Sequence, residues 1–163
     1  MPHDDALVIT LELAGTIFSK ILVDTGSAVN VVSQKTLPLI SQLTPVIDHE
    51  TTPLNNFEGN SAQSLGIVPL TTRTYDVKLE TQFTVVDHFM PFDAIVRRPW
   101  LHQMRAVPSV YHQCLKFLSL TGEKTIRGSQ KQSRACYMTG FQKMPPRGVN
   151  VSLVHDLTVK DPA

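Results

Sequence analysis

Residues 6–13 alternate: Leu7, Ile9, Leu11 and Leu13 fall on one face, Val8, Thr10 and Glu12 on the other. A period of two marks a strand laid against a core on one side. The pattern recurs in short units along most of the chain. Gly15 predicts a turn, and residues 18–23 a second strand that closes a hairpin with the first. Residues 29–32 resume an apolar run at the start of a connecting stretch, and further strands are expected over residues 67–71, 75–79, 81–87 and 94–96, several of them dominated by β-branched side chains. Ser33 can cap a single helical turn through Leu37, after which Pro38 and Pro45 interrupt the chain. Pro99 near the start of residues 98–104 predicts a short helix. Residues 110–118 and 122–126 read as a last strand pair. Many short strands with few helices define an all-β domain.

A chain of 163 residues is long enough for one buried core and short for two. We expect a folded domain over residues 1–120. Residues 121–163 are expected to run from partly structured to flexible, because from Gly128 onward the sequence turns polar and then proline-containing (Pro145-Pro146-Arg147-Gly148). The apolar runs are too short to span a membrane. Met1-Pro2-His3-Asp4-Asp5 is acidic and leads into no apolar leader, so a cytoplasmic or nuclear location is expected.

Cys114 and Cys136 form no CxxC pair, and the six histidines are scattered singly. Two reduced thiols, no metal and no cofactor are the expectation. Charge is uneven. Residues 1–96 carry 4 Lys/Arg against 11 Asp/Glu, whereas residues 97–147 carry 10 against Glu123 alone. A basic stretch of this kind can be a nucleic-acid footprint, but it lacks interleaved aromatics. A solvated segment, or one matched to the acidic half of the chain, fits it better, and no nucleic-acid partner is expected.

Chemistry concentrates in Asp24-Thr25-Gly26-Ser27, which follows Ile21-Leu22-Val23 and precedes Val29-Asn30-Val31-Val32. This context puts a carboxylate at a strand end, entering a tight turn. A carboxylate that activates water needs such a rigid mount, and Gly26 allows a second loop to come close. Thr25 and Ser27 can hydrogen-bond the neighbouring loop and the carboxylate. Amide hydrolysis by this route takes two carboxylates sharing one proton. No second Asp-Thr/Ser-Gly occurs in the chain. A symmetric homodimer, giving Asp24 from each copy, is therefore required. A weak internal echo is also visible: Ile21-Leu22-Val23 runs into Asp24 much as Ala94-Ile95-Val96 runs into Arg97-Arg98.

Ala6-Leu7-Val8-Ile9 followed by Lys20 to Ala28 resembles the first strand and catalytic loop of the retropepsin-like aspartic proteases of plant Ty3/Gypsy retrotransposons. Phe92 to His102 resembles their second signature, an apolar pair followed by Gly-Arg-Pro-Trp-Leu. Residues 106–117 and 126–137 resemble the stretch between protease and reverse transcriptase in those polyproteins. The resemblance covers most of residues 4–138. It implies a small closed β-barrel with one short helix and a flap hairpin, a homodimer, and a polypeptide substrate bound across the dimer axis. It implies catalysis by Asp24, Thr25 and Gly26, and substrate contacts from Ser27 and from the flap residues Phe57, Gly59 and Asn60. The implied activity is aspartic endopeptidase action on a polyprotein. Arg97 stands where the family carries glycine, and a long charged side chain there is expected to crowd the active-site floor. The alternative this raises is a degenerate or domesticated fold serving as a dimerisation or peptide-binding module.

Overall fold

The computed structural model describes residues 5–40, 53–55 and 61–143. Strand β1 (Val8–Leu13) turns into β2 (Thr16–Val23) through Ala14 and Gly15, both at positive φ (45° and 93°). Two such residues between strands make the tight turn whose twist suits a hairpin, and glycine supplies one of them without strain. After the Asp24 loop come β3 (Val31–Ser33) and a 3-10 turn at Leu37–Leu39, then β4 (Pro53–Asn55). Two long strands follow, β5 (Ser61–Thr74) and β6 (Val77–Val86), then β7 (Ala94–Val96) and helix α1 (Arg98–Met104). Strands β8 (Val107–Ser109), β9 (Cys114–Ser119) and β10 (Gly122–Arg127) precede helix α2 (Gln130–Lys143).

The sheet order is β1-β2-β7-β3-β6-β5, and β5 pairs back onto β1, so six strands close a barrel. β4 adds to β5 outside that ring, while β8, β9 and β10 form a separate three-stranded sheet. The all-β domain expected from the alternation forms, closed into the small barrel that the resemblance implies. Leu7, Ile9, Leu11 and Leu13 all enter the main core, together with Ile21, Val23, Val32, Phe83, Val85, Ala94, Val96 and Trp100. Trp100 and Leu101 anchor α1 in that core, and the Trp100 indole Nε1 donates to Thr72 Oγ1 at 3.1 Å.

Besides the strand expected over residues 110–118, which starts only at Cys114 after a turn and is preceded by the unexpected β8, two elements differ from the sequence-based expectation. Residues 77–86 form one continuous strand rather than two, because the Thr74↔Val77 hairpin carries ten consecutive rungs with a single irregularity at Gly66. That glycine, at φ 135°, absorbs a bulge between Ser64 and Gly66. The second difference is α2, a helix in a stretch where no helix was expected and two helices therefore accompany the barrel rather than one. Its sequence, QKQSRACYMTGFQK, has no leucine-like stripe to announce it.

Both cysteines are free and buried. Among the described residues no helix is long and apolar enough to cross a membrane, and no group of three or more His, Cys, Asp or Glu could hold a metal ion.

Candidate active site

β2 and β7 run parallel in register, Ile21↔Ala94, Leu22↔Ile95 and Val23↔Val96. The internal echo in the sequence is thus a pair of neighbouring strands, and the residues that follow them, Asp24 and Arg97, emerge side by side. The Asp24 amide donates to the Val96 carbonyl at 3.0 Å, extending the ladder to the start of the loop. Apolar burial of Val23 and Val96 below holds this mount in place.

Within the loop the Gly26 amide donates to Asp24 Oδ1 at 2.9 Å. A Cβ on Gly26 would sit 3.2 Å from that same oxygen, so a side chain there would press on the carboxylate it now serves. The second oxygen is engaged too: Arg97 Nε lies 3.3 Å from Asp24 Oδ2, in an ion pair whose side chains are 18% and 28% exposed. Arg97 Nη1 also reaches the Val29 carbonyl, at 3.5 Å.

Asn30 sets the position of Arg97. It is 1% exposed, its Oδ1 accepts from the Arg97 amide at 2.7 Å, and its Nδ2 donates to the Gln82 carbonyl at 3.2 Å. One side chain therefore ties the segment after the Asp24 loop to β6 and to the start of α1. The amide and Nε of Arg98 both donate to the Ser27 carbonyl, at 3.3 and 3.2 Å, fastening the far end of the loop to the same helix. Thr25 and Gly26 are left exposed at the tip.

Asp24, Thr25, Gly26 and Ser27 are accordingly gathered in one exposed turn at the end of two parallel strands. Phe57, Gly59 and Asn60 lie outside the described residues. The strands on either side of them, β4 and β5, pair antiparallel, Pro53↔Gln63, Leu54↔Ala62 and Asn55↔Ser61. Arg97 was anticipated as a crowding residue, but not as the direct partner of Asp24. Asn30 was read as part of an apolar run. A polar residue between Val29 and Val31-Val32 was the available signal.

Among solved structures, the retroviral protease-like domain of Ddi1 from Leishmania major aligns with a TM-score of 0.59 at 13% identity, covering 76% of this chain and 94% of that one. The chain has the retropepsin fold. EIAV protease, solved in complex with an inhibitor, aligns at 0.55 and 16% identity over 63% of this chain and 91% of that one. No family model and no curated protein sequence matches the chain.

Proposed function

We propose that this chain is an aspartic endopeptidase of retrotransposon origin, of the plant Ty3/Gypsy type, that processes a polyprotein as a homodimer. One observation carries the reading: a single Asp-Thr-Gly loop, its carboxylate bonded by the Gly26 amide, stands at a strand end in a retropepsin barrel. Two such loops meeting across a two-fold axis would supply the two carboxylates. One, ionised, takes a proton from the attacking water; the other, protonated, donates to the scissile carbonyl oxygen. Thr25 and Ser27 would brace the paired loops. The β4–β5 hairpin, carrying Phe57, Gly59 and Asn60, would close over an extended peptide and exclude water, with main-chain hydrogen bonds holding the substrate as an added strand.

The Arg97–Asp24 ion pair supports a second reading, in which the fold binds peptide or dimerises without cleaving. The deciding experiment is cleavage of an apolar-rich peptide library between about pH 4 and pH 7, a range that runs through the upper limb, where a carboxylate dyad gives up its shared proton. An Asp24→Asn control and the oligomeric state are recorded in the same samples. Cleavage that vanishes in the control and rises with the dimer fraction is the expected result. A folded dimer that binds peptides and cleaves none would leave the second reading standing.

A further inference from the structure

The barrel wall beside Asp24 has a second apolar face. Cross-strand partners share a face, and the registers Val8↔Leu22, Leu22↔Ile95 and Ile95↔Val31 set these four residues in one row across β1, β2, β7 and β3. Their neighbours Ile21, Val23, Ala94 and Val96 point the other way, into the main core. Leu22 is two residues before Asp24 and Ile95 two before Arg97, so the row has the parity of the Asp24–Arg97 ion pair and runs up to it.

That face is covered by the chain's own helix. Cys136 of α2 is 1% exposed and packs in one cluster with Val8, Val31, Val86, Phe92 and Ile95, flanked by Leu22, Val29 and Met90. Ser133, one turn earlier, is also buried. The Ser129 amide donates to the Val8 carbonyl at 2.8 Å, and Arg134 Nε lies 3.3 Å from Asp5 Oδ2.

We propose that α2 is an autoinhibitory strap: it occupies the surface on which a peptide bound at Asp24 must lay the side chains next to its scissile bond. The inference rests on the peptidase reading. An extended peptide advances about 3.3 Å per residue, so side chains one or two positions from the bond fall within about 7 Å of Asp24, over the Leu22–Ile95–Val31 row. Helix and peptide cannot both be there. The strap is built to leave. Among the α2 residues whose side chains are described, the buried ones are Ser133 and Cys136, and Arg134 in its ion pair is 64% exposed, so salt and water weaken it.

Cys136 makes the proposal measurable without turnover. Burial pushes its thiol up to about 11, with Lys20 opposing and Asp93 reinforcing the shift, so the docked thiol should react slowly with a maleimide. The probe is a leucine-flanked peptide mimic bearing a hydroxylated tetrahedral carbon at the scissile position. Saturating probe should speed Cys136 labelling of the full chain by about tenfold or more and leave Cys114 unchanged, with sites assigned by mass spectrometry. In a second arm, Cys136→Asp, which sets a charge against the apolar face, should bind the probe roughly tenfold more tightly, the factor expected if the helix is docked about nine-tenths of the time.

Labelling that does not accelerate under saturating probe overturns the strap. So do equal affinities of the two forms, undetectable binding by both included. If the variant fails to fold, the labelling arm on the unaltered chain decides. Tighter binding by Cys136→Asp with no cleavage would uphold the strap and refute the peptidase, whereas equal cleavage by both forms would do the reverse.

Discussion

Arg97 Nε lies 3.3 Å from Asp24 Oδ2, and the same arginine's amide is held at 2.7 Å by the buried Asn30 side chain. The guanidinium is therefore aimed rather than loosely placed. It takes up the carboxylate oxygen left free by the Gly26 amide. In a dimer two guanidiniums would accompany two carboxylates.

Arg97→Gly should consequently raise peptide cleavage. The pair is worth roughly 1 kcal/mol at this partial exposure, and releasing that much barrier gives about fivefold in rate. Steady-state cleavage of one peptide by both forms at equal dimer fraction provides the check. An unchanged rate would remove Arg97 from the account of activity.

Asn30→Ala should cost about 1–2 kcal/mol of stability, since it removes a buried side chain and leaves the part-buried Gln82 carbonyl and Arg97 amide without their partner. Denaturant titration reads the loss. Because the anchor of Arg97 goes with it, the nearby Asp24 loop resonances should also shift in an NMR spectrum. A loss below about 0.5 kcal/mol, the level of an ordinary surface substitution, would mean that water replaces the side chain's bonds.

Legibility of the fold followed the physics of each segment. Alternation over residues 6–13 announced which face enters the core, because one strand face is wholly apolar and the hairpin turn carries its own glycine. It also carried an unused hint: Val8, on the face expected to be outward, is 0% exposed. What buries it is α2, whose sheet-facing positions include Ser133 and Cys136 and so show no apolar period. The Asp24 loop was readable because its chemistry demands a short, ordered set of residue types. Its partner Arg97 lies 73 positions away, and only the parallel register of β2 with β7 brings the two together. Local patterning cannot encode a contact made by pairing of distant strands, although the matching Ile-Leu-Val and Ala-Ile-Val runs were its trace.

Trp100→Phe should lower stability by about 1–3 kcal/mol, combining a lost indole bond to Thr72 with the void left by a smaller ring in a fully buried site. Thr72 Oγ1 keeps a donor role toward the Leu79 carbonyl at 3.4 Å, so its hydroxyl is not orphaned. Trp100 is the single tryptophan of the chain, and its emission should move to the red on unfolding of the parent protein. Circular dichroism through a denaturant series compares the two. Equal midpoints would show that the barrel closes over the phenyl ring without loss.

Asp93 sets a pH dependence with a definite sign. Burial raises its carboxyl above the ordinary value of 3.8, against the lowering pull of the Lys20 charge and the Lys20 backbone bond. A carboxyl raised in the folded state binds its proton more tightly there than in the unfolded chain. Its contribution to stability is therefore greatest below 3.8 and declines as pH climbs from 3.8 through the raised value. Above that window the folded state holds a partly buried carboxylate with Lys20 beside it and the Cys136 thiol above. Asp93→Asn keeps the backbone bonds, in which the Asp93 carbonyl accepts from Thr36 Oγ1 at 2.8 Å and from the Ser33 amide at 3.3 Å. The variant should lose the decline, so its denaturation midpoint exceeds the parent's at neutral pH and converges with it near pH 4. Parallel curves for the two proteins across that range would place the lysine, not burial, in control of this carboxyl.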